Sequence, residues 1–307
     1  VVGLSGAGAV KAVLFDLGGT LWAPFGDRTR DEVVREAAAR AATLVSSLLP
    51  DAELADAENG ANGPGTIIAW LDARTAVRDA AAKVSFADPV FREDDLAETV
   101  QEVFFPALRR GRGSVGPAQS RGGAARATTG SASSIAAIAE EFGRDLTRRC
   151  RLFPEALSVL AGLRRTSPGL VLGIVSNTVI QSRVIDFYLA ECDLDKMVDF
   201  RVLSSEAGWR KPHPAIYAAA LARAGVRAAD AVFVGDRLVE DVAGPKRLGM
   251  KAILCCFEGE KGRATASMPD GSPCAQEPDG CAFALTDVPA LVRAFVGTQH
   301  SSSSLAP

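Results

Sequence analysis

Four stretches of the chain bring polar groups to the ends of apolar runs. Val13-Leu14-Phe15 ends in Asp16, with Gly18, Gly19 and Thr20 close behind. Val171 to Val175 ends in Ser176 and Asn177, Lys211 stands in Gly208-Trp-Arg-Lys-Pro, and Val234-Gly235 runs into Asp236 with Asp241 shortly after it. In the first stretch a strand delivers a carboxylate to its own tip, and the glycines let the backbone turn tightly and approach a ligand. Ligands of an open α/β sheet sit in the crevice outside the carboxyl ends of its strands, so an acid there, with a hydroxyl behind it, is a site candidate. By itself the stretch reads equally as a strand closed by a turn. The other three stretches add the remaining chemistry. Carboxylates are hard oxygen donors that suit a hard cation, and a carboxylate, a hydroxyl and an ammonium brought together could attack, hydrogen-bond and neutralise an anionic ligand.

The elements that must position these groups follow from residue pattern. Arg30 to Leu49 reads as a helix rich in Ala, Glu and Arg, and further helices are predicted over Thr66 to Val84, Asp94 to Leu108 and about Ile135 to Cys150. Arg109 to Ser134 has almost no large apolar residue and predicts a flexible loop. From Leu152 onward strands alternate with helices, the signature of a parallel sheet with crossovers. Strands are predicted at Leu170 to Val175, Phe200 to Leu203, Ala231 to Val234, Ala252 to Phe257 and Ala282 to Leu285. The helices between and after them run from Pro154 to Arg165, Arg183 to Ala190, Pro214 to Ala224, about Val239 to Leu248 and Pro289 to Phe295. Pro245 would disrupt a helix interior, so its helix should start near it.

Taken in order, the four stretches resemble the motifs of the haloacid dehalogenase (HAD) superfamily: an apolar strand ending DxDx[TV], a strand ending in Ser or Thr, a Lys, and GDxxxxD. The match departs at one position, where Gly18 stands in place of the usual second Asp. The resemblance implies an α/β fold, a Rossmann-like parallel-sheet core over residues 10–26 and 151–298. A helical cap would be inserted at 27–150, containing the flexible loop 109–134, and a flexible tail would close the chain at 299–307.

The resemblance also implies roles. Asp16 would be the nucleophile that forms an aspartyl-phosphate, Ser176 would hydrogen-bond a transferring phosphate oxygen, and Lys211 would place a positive charge beside both the phosphate and Asp16. Thr20 and Asn177 would contact substrate. Magnesium (Mg2+) would be held by Asp16, Asp236 and the backbone carbonyl of Gly18, with Asp241 as indirect support and Glu240 as a substitute. Gly18 keeps that carbonyl but lacks the carboxyl that protonates the leaving oxygen, a service worth ~10²- to 10⁴-fold.

Superfamily members without that acid include haloacid dehalogenases, which resemble this chain at Ser176-Asn177 and Lys211 but use no magnesium and lack the acidic fourth motif. Phosphonoacetaldehyde hydrolases keep magnesium and use a cap lysine; Lys83, the insertion's only lysine, has surroundings unlike theirs. The reading is a magnesium-dependent hydrolase, a phosphatase acting on a small phosphorylated metabolite. Its alternatives are a dehalogenase-like or phosphonatase-like hydrolase and a weakly active phosphate-binding regulatory protein.

At 307 residues the chain suits two domains, or one with a large insertion, and its 48% hydrophobic and 23% charged residues suit a globular protein. A net charge of −3 offers no basic excess for nucleic acid or a membrane surface, and the arginines between Arg109 and Arg126 read as a solvated loop. Val1 to Ala9 lacks the basic leader of a signal peptide, and no run approaches the ~18 apolar residues of a membrane span, so a cytoplasmic protein is expected. Two histidines and no close Cys/His cluster argue against zinc. Cys255 and Cys256 read as core residues, and Cys274 and Cys281 are expected as reduced thiols that would pair only in an oxidising setting.

Overall fold

The computed structural model describes residues 10–26, 28–48, 72, 91–93, 127–257 and 276–297. Strands β1 (Ala12–Phe15), β4 (Val171–Ser176), β5 (Phe200–Leu203), β6 (Ala231–Gly235), β7 (Lys251–Cys255) and β8 (Gly280–Ala282) form one parallel sheet in the order β5-β4-β1-β6-β7-β8. The central strands are continuous apolar runs because helices cover both faces of the sheet. Val13, Phe15, Leu172, Ile174, Val232 and Val234 point to one face, where they pack with Leu160 and Leu163 of α3 (Ala156–Thr166) and Ile185 and Leu189 of α4 (Ser182–Glu191). The alternate residues Ala12, Leu14, Val175 and Phe233 point to the other, against Ile216, Tyr217 and Ala220 of α6 (Pro214–Ala224). That period of two is the side-chain alternation of a strand.

Register aligns the site. Phe15 lies opposite both Ile174 and Val234, so Asp16, Ser176 and Asp236 all emerge at one edge of the sheet. Next to that edge, β2 (Trp22–Ala23) pairs antiparallel with β3 (Arg151–Leu152), so the chain leaves for the insertion and returns from it side by side. Within the insertion, α1 (Arg30–Leu48) and α2 (Ala127–Thr147) pack along each other. Val33, Val34, Ala37 and Ala41 are buried on α1, and Ile138, Ala139 and Phe142 on α2. Arg149 adds an ion pair to Glu36 at 2.5 Å.

Several sequence expectations change. Helix α2 begins at Ala127, inside the stretch expected to be a loop through Ser134. Once Ile138 and Phe142 anchor a helix, each further residue adds a hydrogen bond without a new nucleus, so the helix extends through a polar segment. The last strand is Gly280–Ala282 rather than Ala282 to Leu285. There the Asp287 carboxylate accepts the backbone N–H groups of Phe283 and Ala284 and starts a 3-10 turn over Leu285–Asp287. Pro245 sits in the first turn of α7 (Gly244–Arg247), as expected, but a π-helical turn over Leu238–Ala243 precedes it. The two-residue strands β2 and β3 are too short to leave a periodic signal. The helices expected over Thr66 to Val84 and Asp94 to Leu108, residues 109–126, Lys83, Cys274 and the tail 299–307 lie outside the described residues. Cys281 is an exposed free thiol, whereas Cys255 is buried.

Candidate active site

Asp16 follows β1 directly, and its backbone N–H donates to Val234 O at 2.8 Å, which fixes the strand tip against β6. The chain then turns back on itself: Leu21 N and Trp22 N both donate to Leu17 O at 3.0 Å, and Gly19 N donates to Trp22 O at 2.8 Å. Gly19 has a φ of 89°, and a Cβ there would lie 2.5 Å from a carboxylate oxygen of Asp236. Glycine is therefore required both by conformation and by space. Gly235 meets the second condition, since a Cβ would overlap the Asp241 carboxylate. The two glycines let the acids approach the strand ends.

Lys211 Nζ bridges two acids, at 2.6 Å from Asp16 Oδ1 and 2.7 Å from Asp241 Oδ1, with all three residues buried. Asp241 Oδ2 also accepts the Arg237 N–H at 3.0 Å. Asp16, Asp236 and Asp241 present carboxylate oxygens within 4.8 Å of one another. Three carboxylates share the Lys211 ammonium and the nearby Arg237 guanidinium, and low dielectric makes that balance of charge consequential. Burial opposes the charge on Lys211, but Asp16 and Asp241 outweigh it and hold the ammonium above the usual lysine range. Burial, with help from Asp16, pushes the Asp241 carboxyl up to about 7 against the pull of Lys211.

The strand-end loops are tied to each other. Asn177 Oδ1 accepts Lys211 N at 2.7 Å and Asn177 Nδ2 donates to Lys211 O at 3.0 Å, so its side chain grips the lysine's own peptide units. The Lys211-Pro212 peptide is cis. His213 caps α6 through Nδ1, which accepts Ala215 N at 3.2 Å, and its ring stacks on Trp209 with centroids 3.9 Å apart. Burial lowers its pKa.

A cavity of about 160 Å³ opens above this cluster, and Asp16, Gly18, Ser176, Asn177 and Lys211 line it. Asp236 and Asp241 are buried outside the lining, and Thr20 is fully buried, also away from the cavity wall. Phe25, Arg237 and Glu240 complete the wall with Pro24. Arg237 Nη1 lies 3.3 Å from Glu240 Oε1, and Glu240 holds the guanidinium above its usual range against the burial that opposes it. Sequence reasoning passed over Arg237 and Phe25. Arg237 carried a signal, a fixed charge directly after a motif aspartate, while Phe25 reaches the site only through the turn at β2.

A family model for haloacid dehalogenase-like hydrolases matches residues 10–249. The human haloacid dehalogenase-like hydrolase domain-containing protein 3 is 33% identical over 128 residues, 40% of this chain and 48% of that protein. The glyceraldehyde 3-phosphate phosphatase of Pyrococcus abyssi (strain GE5 / Orsay) is 37% identical over 105 residues, 34% of this chain and 42% of that protein. The chain thus spans about half the length of these curated relatives. In fold it is similar to the crystal structure of 2-haloacid dehalogenase from Pseudomonas syringae pv. Tomato DC3000, with a TM-score of 0.60 and 23% identity over 93% of this chain and 99% of that one. The chain belongs to the haloacid dehalogenase-like hydrolase family.

Proposed function

We propose that the chain is a magnesium-dependent phosphatase acting on a small phosphorylated metabolite, with the insertion serving as a helical cap. The observation that carries this reading is the convergence of Asp16, Asp236 and Asp241 within 4.8 Å beneath a cavity walled by Ser176, Asn177 and Lys211. These hard oxygen donors fit magnesium, which Asp16, Asp236 and the Gly18 carbonyl would hold with Asp241 in support. Bound there, it would supply neutralisation of phosphate oxygens.

Asp16 would attack phosphorus in line and expel the ester oxygen as an alkoxide or aryloxide that takes its proton from solvent, leaving an aspartyl-phosphate that water then hydrolyses to regenerate the carboxylate. The Lys211 ammonium, 2.6 Å from Asp16, aligns the nucleophile and faces the charge that develops on the transferring group. Ser176 Oγ would donate to a phosphate oxygen. Asn177, with its amide committed to Lys211, acts by holding the lysine in place. A cavity of about 160 Å³ suits a phosphate and a short carbon skeleton. The phosphatase names of relatives such as the Pyrococcus abyssi protein support the same class.

One observation favours a second reading. Gly18 offers no acid, as in dehalogenases, which expel halide and need no protonated leaving group. Purified protein assayed on an aryl phosphate and on a 2-haloacid, each with magnesium and with chelator, separates the two. Magnesium-dependent phosphate release is expected, and chelator-resistant halide release would overturn the phosphatase reading.

A further inference from the structure

We propose that Glu93 is a positioning residue that holds in place the segment carrying Lys211. The proposal rests on the reading of Lys211 and Asp16 given above, but its geometry stands apart from the catalytic cluster. The side chain of Glu93 is 2% exposed. Its Oε1 accepts Arg210 Nη1 at 2.6 Å, and its Oε2 accepts the hydroxyl of Ser204 at the start of α5 (Ser204–Ala207). The backbone joins in, with Glu93 N donating to Gly208 O at 3.0 Å and Arg210 N to Phe91 O at 2.9 Å. An antiparallel bridge links Arg92 to Trp209 between them. Phe91 is buried alongside. Residues 91–93 therefore dock on the segment that delivers Lys211 through one β-bridge flanked by two backbone hydrogen bonds.

The same carboxylate reaches the other strand-end loop through one intermediary. Ser204 is fully buried, and its Oγ accepts the Thr178 N–H at 2.7 Å. Thr178 follows Ser176 and Asn177, and Asn177 in turn holds both peptide units of Lys211. Glu93 thus sits where two routes meet, one through Arg210 to Lys211 and one through Ser204 and Thr178 to Asn177 and Lys211. A buried carboxylate earns its desolvation cost only when paired and fully hydrogen-bonded. Removing the Glu93 carboxylate would take an acceptor from both Arg210 and Ser204.

Two readings test this, one kinetic and one chemical. Misplacing a catalytic group by about 1 Å costs up to ~10²-fold, so Glu93→Ala should lower kcat on an aryl phosphate by about 10- to 100-fold with KM little changed. Glu93→Gln, which keeps an acceptor, should fall between parent and Glu93→Ala. Acylation of lysines with an activated ester, mapped by mass spectrometry, should find Lys211 protected in the parent and labelled at least about tenfold faster in Glu93→Ala, as loosening of its segment exposes the buried amine. A folded Glu93→Ala protein with parental kcat and parental protection of Lys211 overturns the proposal. If Glu93→Ala does not fold, Ser204→Ala and Glu93→Gln are held to the same two readings. A parent inert towards phosphate esters would refute the phosphatase reading, and the acylation comparison alone would then decide the role of Glu93.

Discussion

Lys211 Nζ lies 2.6 Å from Asp16 Oδ1 in the buried heart of the site, with Asp241 Oδ1 at 2.7 Å on its other side. The ammonium offsets repulsion between acids that would otherwise face each other with little solvent. Removing one partner of a buried pair costs about 3–5 kcal/mol because the other charge is left uncompensated. Lys211→Met should therefore lower unfolding stability by about that amount in chelator, read from urea denaturation. Turnover should fall by ~10²- to 10³-fold through loss of a preorganised charge. Unchanged stability would mean that the acids are protonated in the folded protein.

Asp236 supplies the second carboxylate expected to hold magnesium, and its position depends on Gly19. A ligand that binds only the native state raises apparent stability by RT ln(1 + [L]/Kd), about 2.7 kcal/mol at a hundredfold excess over Kd. The parent's melting temperature should rise with added magnesium, and Asp236→Ala should abolish most of that rise along with magnesium-dependent turnover. An equal rise in the variant would place the ion elsewhere.

The two glycines after Asp16 make opposite demands. Gly18 has no positive φ, and a Cβ there would meet Pro24 and Trp22 atoms at 3.8 Å, ordinary contact distance. Gly19 has a φ of 89° and no room beside Asp236. Gly19→Ala should destabilise by at least the ~1–2 kcal/mol of a left-handed non-glycine residue and weaken the magnesium-induced rise in melting temperature. Gly18→Ala should leave both near parental values. A calorimetric comparison of the two variants checks the pair, and equal effects would show that the turn relaxes.

Much of this site was legible because its residues sit at ends of apolar runs. Asp16, Ser176 and Asp236 each mark a strand tip, and parallel register brings them to one edge without further information. The pairing of Asn177 with Lys211 was not legible, since nothing in either stretch says that an amide will hold the other's backbone. Thr20 shows the opposite case: its closeness to Asp16 in sequence did not foretell that it is fully buried and outside the cavity lining. Glu93 gave no signal because its partners, Ser204 and Arg210, lie more than a hundred residues away. The start of α2 at Ala127 was missed for a related reason, as composition reports what a segment could bury and not what its helical continuation is anchored to.

Gly18 remains the position that should shape substrate choice. If the proposed phosphatase reading holds, the departing oxygen would leave without a proton from a carboxyl at this position, so the rate should fall steeply as the leaving alcohol becomes more basic. The backbone at Gly18 is compatible with a side chain, and nothing lies closer than 3.8 Å to a Cβ there. Gly18→Asp should fold, bind magnesium and accelerate alkyl phosphates by ~10²-fold or more while changing aryl phosphates far less, because the acid matters most where the leaving group is poorest. The measurement is kcat/KM for a series of phosphate esters graded in leaving-group pKa, with the slope compared between parent and variant. A parent that already cleaves alkyl and aryl phosphates at equal rates, with no flattening of the slope in Gly18→Asp, would show that another group donates the proton. Glu240 on the cavity wall would then be the first residue to substitute.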